Sequence, residues 1–304
     1  MKKINTKNYY IKVRSAIAVV ITVFFIVSCQ KKVPPLNSDF VIIGTFNVEW
    51  LGDGVNDRKK RTEEDYRNIA ELIKKTGADI LGLEEIENAN ALNKILKYLP
   101  EFSFYIGTEG GAQKIALLYR KGIEVKELGE YMPLQTQFKR TRPGLQFRIK
   151  KGSFDWEMMV VHFKSSSHFD DTKEKIEASI DLRSEQAQVL ANWIDSTLAH
   201  GKEKDLIIVG DFNDSPDRQK NATLTALLAD KNIEFLTYNL RSCKNHSWHS
   251  IDHIIVTNSV KKRLMPMAVS MFDVNSYLGE HSAGQISDHC PVLVKLENTS
   301  PDND

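Results

Sequence analysis

The chain has 304 residues, 41% of them hydrophobic and 27% charged, an ordinary globular balance with room for one large core. Its 41 Lys+Arg and 40 Asp+Glu nearly cancel, which excludes the broad basic field of a protein that binds nucleic acid by charge alone. Any such contact has to come from a local patch.

Residues 1–15 carry Lys2, Lys3, Lys7, Lys12 and Arg14 and no acid, and Ala16 to Val27 is apolar but for Thr22. Twelve residues in a helix span about 18 Å, short of the ~30 Å hydrocarbon core of a bilayer. The segment therefore reads as a signal sequence rather than a spanning helix. It ends Ile26-Val27-Ser28-Cys29, which resembles a bacterial lipobox with Cys29 as the lipidated first residue. The expected organisation is a lipoprotein signal over 1–28, a tether over 29–37 containing Pro34-Pro35, one domain over 38–297 and a frayed tail over 298–304. Loss of the signal removes five bases and no acids, leaving 36 bases against 40 acids.

Phe40–Phe46 is apolar enough for a strand buried on both faces. Thr62 with Asp65 forms a weak capping box, an apolar stripe of Tyr66, Ile69, Leu72 and Ile73 follows, and Gly77 closes the helix. Ile80–Leu83 is the next buried strand and Ala91–Leu99 a short helix. Strands are expected at Ile115–Tyr119, Ile123–Leu128, Leu145–Ile149 and Trp156–Phe163. A long helix covers Lys173–His200 with Gly201 as its stop, followed by a buried strand at Leu206–Val209 and a helix at Ala222–Leu228. His253–Val256 and Pro291–Leu296 complete the strands. Many strands with helices set outside them imply an α/β layered domain, with two sheets.

Polar residues stand at the ends of these apolar strands. Asn47 follows VIIGTF, Glu84-Glu85 follow DILGL, and His162 ends EMMVVH. Asp211 and Asn213 follow LIIVG, Asp252-His253 open a strand, and Asp288-His289 precede one. Strand ends are where α/β folds present side chains to ligands. Carboxylates such as Glu85 and Asp288 are hard oxygen donors that favour magnesium, manganese or calcium. A His beside an Asp is a general base with a fixed tautomer, and amides such as Asn47 and Asn213 hold phosphate oxygens or orient a carboxylate. No Cys cluster or HExxH points to zinc, no GxxxxGK[ST] to a P-loop, and no GxSxG to an esterase elbow. Cys243 and Cys290 are read as two separate buried thiols, although an oxidising compartment would permit a bridge.

TFNVEW, DILGLEEIEN, VVHFK, VGDFND, SIDHIIV and SDHCPV occur in the order found in the endonuclease/exonuclease/phosphatase superfamily, over about 38–297. The resemblance implies a four-layer αββα sandwich of two mixed β-sheets packed face to face, the pancreatic-type deoxyribonuclease fold. It implies Mg2+, with Mn2+ or Ca2+ as alternatives, at Glu85 with Asn47 and Asp288. Glu84 stands where the family usually has Gln. The resemblance makes His162 a phosphate contact or acid, and Asp211 with Asn213 the pair that orients the nucleophile. It pairs Asp252 with His289. His289 with Asp252, or Asp211, is the implied base.

LEEIEN, VVHFKSSS and RSEQAQVL look most like bacterial extracellular nucleases. The expected function is metal-dependent phosphodiester hydrolysis on extracellular DNA or RNA. The alternatives are a lipid or small-molecule phosphodiesterase of sphingomyelinase type, or a non-catalytic surface binding protein. Arg142 lies in the densest basic stretch of the chain, a phosphate contact or a solvated loop. Trp248 either stacks on a base or packs. The expected partners are nucleic acid and a membrane reached through the lipid. No protein partner is read, a monomer is expected, and the location is the cell envelope.

Overall fold

A computed structural model describes residues 38–166 and 170–302; the signal and the lipidation call on Cys29 lie outside them. In chain order the strands are β1 (Phe40–Leu51), β2 (Ile80–Ile86), β3 (Phe102–Ile106), β4 (Lys114–Arg120), β5 (Glu124–Tyr131), β6 (Gly144–Lys151), β7 (Phe154–His162), β8 (Leu206–Asp211), β9 (Ile233–Phe235), β10 (Asp252–Thr257), β11 (Leu264–Met271) and β12 (Val292–Glu297). The helices are α1 (Glu63–Thr76), α2 (Ala89–Leu96), α3 (Lys173–His200), α4 (Thr225–Ala229), α5 (Asn258–Lys261), α6 (Val274–Leu278) and α7 (Glu280–Ile286). None of the described helices is long and apolar enough to cross a membrane.

The strands form two six-stranded sheets, ordered β11-β12-β1-β2-β4-β3 and β5-β6-β7-β8-β10-β9. Both are mixed: β1 pairs parallel with β2, and β7 parallel with β8, while the other pairs are antiparallel. A parallel pair needs a crossover, and α1 and α3 supply the two. Alternation sends one side of each strand between the sheets and the other under the helices. Val41 and Ile43 of β1 join Val160, Val209 and Ile254 in the core between the sheets. Phe46 and Val48 face Ile69, Leu72 and Ile73 of α1. Met159, Val161 and Ile208 face Leu190 and Ile194 of α3. The result is the expected α/β/β/α sandwich.

The cap signals act as read. Thr62 and Asp65 form a reciprocal capping box on α1, and Gly77 ends it at φ 72°, where a Cβ would be disfavoured. At the end of the sandwich opposite the strand-end polar residues, Asp79 of the first sheet is buried and meets Lys151 of the second at 2.9 Å. Of the tail expected over 298–304, Asn298–Asp302 lie among the described residues. Asn298 is buried, its carbonyl accepts from Ser153 N at 2.9 Å, and Arg263 donates to the carbonyls of Ser300 and Pro301 at 3.2 and 3.3 Å. These bonds tie the segment to its neighbours, while Thr299, Ser300 and Pro301 stay exposed.

Candidate active site

The period-two pattern that fills the space between the sheets with Val and Ile turns polar at one end. Along β1 the inward positions run Val41, Ile43, Thr45, Asn47; along β2 they run Ile80, Gly82, Glu84. In β7 and β8 the same register brings His162 and Asp211 inward after Val160 and Val209, and in β10 it brings Asp252 before Ile254. Pairing then aligns them. His162 lies opposite Asp211, Asp211 opposite Asp252, and Asn47 opposite Glu84. These are the carboxyl ends of both parallel pairs, the ends where open α/β sheets bind ligands. Gly210 makes the approach possible: at φ 152° its added Cβ would lie 1.9 Å from the Val161 carbonyl oxygen.

Asp211 is the centre. Its Oδ1 accepts from Asn213 N at 2.8 Å. Its Oδ2 accepts from Asn47 Nδ2 at 3.1 Å and lies 3.7 Å from His162 Nε2 and 3.8 Å from His289 Nε2. Burial pushes its carboxyl up to about 7, against the pull of His289. His289 is fixed from two sides. Its Nδ1 meets both oxygens of Asp252 at 2.9 Å, and its backbone N donates to Ser287 Oγ at 2.9 Å. Burial opposes its charge, but Asp252 and Asp211 outweigh that and raise its pKa well above the usual imidazole range. Nδ1 is therefore the donor to Asp252, and Nε2 faces the site.

The two glutamates divide. Glu85 takes a left-handed conformation at φ 65°, which breaks the alternation and turns its carboxylate toward the site. Its Oε2 accepts from Trp50 N at 3.1 Å, and its Oε1 lies 3.9 Å from His162 Nε2. Glu84 keeps the alternation and is fully buried beneath. Its Oε1 accepts from Thr45 Oγ1 at 2.6 Å while Oε2 is buried without a partner. Burial first, and then Asp252 and Asp211, raise its pKa well above the ordinary range. A carboxyl raised in the fold stabilises most below its unfolded pKa, and that stability is lost as pH climbs toward the folded value, at about 1.4 kcal/mol per pH unit. Glu84→Gln should therefore raise the melting temperature, by several degrees more at about pH 8 than at about pH 5. Equal shifts at both pH values in chelated protein would show that Glu84 is ionised in the fold.

The sequence profile of the Endonuclease/Exonuclease/phosphatase family matches residues 44–289, from β1 through His289. The chain belongs to the endonuclease/exonuclease/phosphatase family. No curated protein compared with the chain matches it. Solved structures share the fold. A truncated TDP2 of Caenorhabditis elegans superposes with a TM-score of 0.60 at 15% identity, covering 85% of this chain and 97% of that one. TDP2 of D. rerio complexed with single-strand DNA product gives 0.61 at 14%, covering 85% and 99%. A mannosyl-6-phosphatase of Bacteroides thetaiotaomicron gives 0.57 at 17%, covering 84% and 98%.

Endonuclease/exonuclease/phosphatase enzymes are hydrolases of phosphate esters that depend on a divalent metal. The donors here fit a hard cation: Glu85 and Asp211 offer carboxylate oxygens 3.5 and 3.1 Å from Asn47 Nδ2, and the ligand atoms of Asp211, Asp252 and His289 lie within 4.8 Å of one another. Asp288 stands apart from Glu85. Its side chain is 68% exposed, 3.8 Å from His289 Nε2, and it lines a different cavity from Glu85.

Two open cavities flank Asp211. One, of about 700 Å³, lies on the His289 side and is walled by Trp248, His249, Asp252 and Cys243. Trp248 exposes 64% of its surface, so it is no packing residue. The reading of Cys243 and Cys290 as separate thiols is corrected here: they form a disulfide with Cα atoms 6.3 Å apart, tying the Trp248 loop to the chain beside His289. Both cysteines are buried, as expected, but against each other. The other cavity, about 650 Å³, lies on the Glu85 side with Arg142, Lys164 and Trp50. Arg142 is fixed by Gln113, whose carbonyl accepts from Nε at 2.9 Å and whose side chain accepts from Nη2. Asn213 stands at φ 53° and donates to the Phe163 carbonyl at 3.2 Å. His162 is buried, with Nδ1 lacking a partner; burial, then Arg142, His289 and Lys164, hold its pKa well below the usual value. It is a neutral donor.

Sequence reasoning passed over Trp50, Lys164 and Gln186. The Gln186 side chain accepts from Lys164 N at 2.8 Å, and the Arg183 guanidinium donates to the Lys164 carbonyl at 2.8 Å. The signal was present in RSEQAQVL: Arg183 and Gln186 are polar residues on the buried stripe of α3, where a partner is required.

Proposed function

We propose that the chain is a nuclease, cleaving phosphodiester bonds of extracellular DNA or RNA with Mg2+ held by Glu85 beside Asn47. The observation that carries this is the single carboxylate of Asp211 lying within 4 Å of Asn47, His162 and His289 while Asp252 locks His289. The cation, when bound, neutralises charge on the phosphate oxygens. His289 is charged in this setting and cannot take a further proton, so Asp211 is the acceptor for the proton of the attacking water. His289 donates from Nε2 to a phosphate oxygen, with Asp252 holding its tautomer. Asn47 and the Asn213 backbone aim Asp211, and neutral His162 donates rather than acting as an acid. Arg142 and the exposed Trp248 bind the substrate on either flank.

Export as a lipoprotein through Cys29 belongs to the same reading. The Cys243–Cys290 bridge supports it, since such bonds persist in oxidising compartments. A lipid or sugar phosphate substrate is the second reading, favoured by the fold shared with the mannosyl-6-phosphatase. Incubation with plasmid, RNA, sphingomyelin and mannose 6-phosphate, with and without chelator, separates them. Cleavage of plasmid or RNA is expected, lost with chelator and lowered about 10³-fold in His289→Ala. Turnover of the lipid or the sugar phosphate alone would overturn the nuclease reading. No turnover of any substrate would favour a binding protein.

A further inference from the structure

We propose that the cavity beside Glu85 is a subsite for the phosphate next to the scissile one on a polynucleotide strand, an inference that rests on the nuclease reading. The two flanks of Asp211 differ in charge. The Glu85 side is lined by Arg58, Lys139, Arg140, Arg142 and Lys164 against two acids, Glu85 and Asp170. The His289 side has four acids, Glu49, Asp252, Glu280 and Asp288, against Lys244 and two histidines. A chain of phosphates crossing the site is attracted on one side only.

The cations of the basic flank come from three separated segments and are held in place before substrate arrives. Arg142 is clamped by Gln113. Its loop is stapled where Thr141 Oγ1 donates to the Gln137 carbonyl at 3.0 Å and accepts from Gln137 N at 2.9 Å. Lys164 is braced through its backbone by Gln186 and Arg183 of α3. Arg58 lies 4.2 Å over the Trp50 ring, just past the Glu85 ligand of that backbone. Such preorganisation lowers the entropy lost on binding an anion, and a guanidinium is suited to a phosphate. A second hollow of about 290 Å³ shares Gln113, Lys139, Arg140 and Arg142 as wall residues and includes Phe138, 68% exposed.

Trinucleotides with one ordinary phosphodiester and one modified linkage test this. The modified linkage is a phosphorothioate, which keeps its charge, or a methylphosphonate, which does not, placed on either side of the cleavable bond. In one orientation the charged flank should raise kcat/KM about tenfold over the neutral one, and in the other orientation the ratio should stay within about twofold. In Arg142→Gln, and separately in Lys164→Gln should the first fail to fold, the tenfold ratio should collapse toward one. A ratio near one in both orientations of the unaltered protein, or a tenfold ratio that survives both variants, would overturn the subsite. Turnover of bis(4-nitrophenyl) phosphate with no cleavage of any trinucleotide would overturn the nuclease reading and the subsite with it.

Discussion

Asp211→Asn should lose about 10³-fold or more in kcat while melting at a higher temperature than the unaltered protein. The first half follows from position. Among the described residues Asp211 Oδ2 is the carboxylate oxygen that lies within 4 Å of Asn47, His162 and His289 together, and an amide there cannot accept the proton of water. The second half follows from its pKa of about 7 against an unfolded value near 3.9. A raised carboxyl contributes full stability only below the unfolded pKa. That stability declines between about pH 4 and pH 7 and stays lost above, a difference of at most about 4 kcal/mol. The amide removes that decline. Loss of the anion beside charged His289 offsets part of the gain. Thermal melts of chelated protein across this pH range, with kcat on any cleaved phosphodiester, check both halves. An activity loss accompanied by a lower, equally pH-dependent melting temperature would mean Asp211 is structural. This opposition of activity and stability is expected where a fold buries charge for chemistry.

The most legible strands are the ones buried on both faces, although β5, a largely exposed edge strand, was also foreseen. β1, β2, β8 and β12 are nearly continuous apolar runs, and each ends within a few residues of its expected place. The three strands not foreseen, β3, β9 and β11, all lie at sheet edges. An edge strand is half-buried and half-paired, so its composition need show neither an apolar run nor clean alternation. β11 illustrates this: its register shifts between Leu264 and Val269, and Met267 at φ 50° is 97% exposed.

The site was legible for a related reason. A polar residue that continues an inward-facing apolar register is conspicuous, and Asn47, His162, Asp211 and Asp252 all do so. Where the backbone departs from register, sequence carries less. Glu85 reaches the site only because it leaves the strand conformation, and from spacing alone Glu84 has the better claim. Asp288 looked equivalent to Glu85 as a carboxylate, but its neighbour in space is His289. Long-range pairing is the least legible of all. Nothing in the residues around Cys243 says that a chain 47 positions on returns to meet it.

That pairing carries the second large expected effect. A bond closing a 47-residue loop removes freedom chiefly from the unfolded chain, worth about 4 kcal/mol on the loop-entropy estimate. In a domain of this size that corresponds to about 10 °C in melting temperature. Cys243→Ala with Cys290→Ala, or reduction of the bond, should lower the melting temperature by about that amount. Activity should respond unevenly. The loop carrying Cys243 also carries Trp248 and His249, the wall of the cavity on the His289 side, so loosening it should raise KM severalfold. His289 keeps its own anchors in Asp252 and Ser287, so kcat should fall much less. A kcat that collapses while KM holds would mean the bridge positions His289 itself. A melting temperature within about 2 °C of the bridged protein would mean that the unfolded chain is already constrained in this region, and that the loop-entropy account does not apply here.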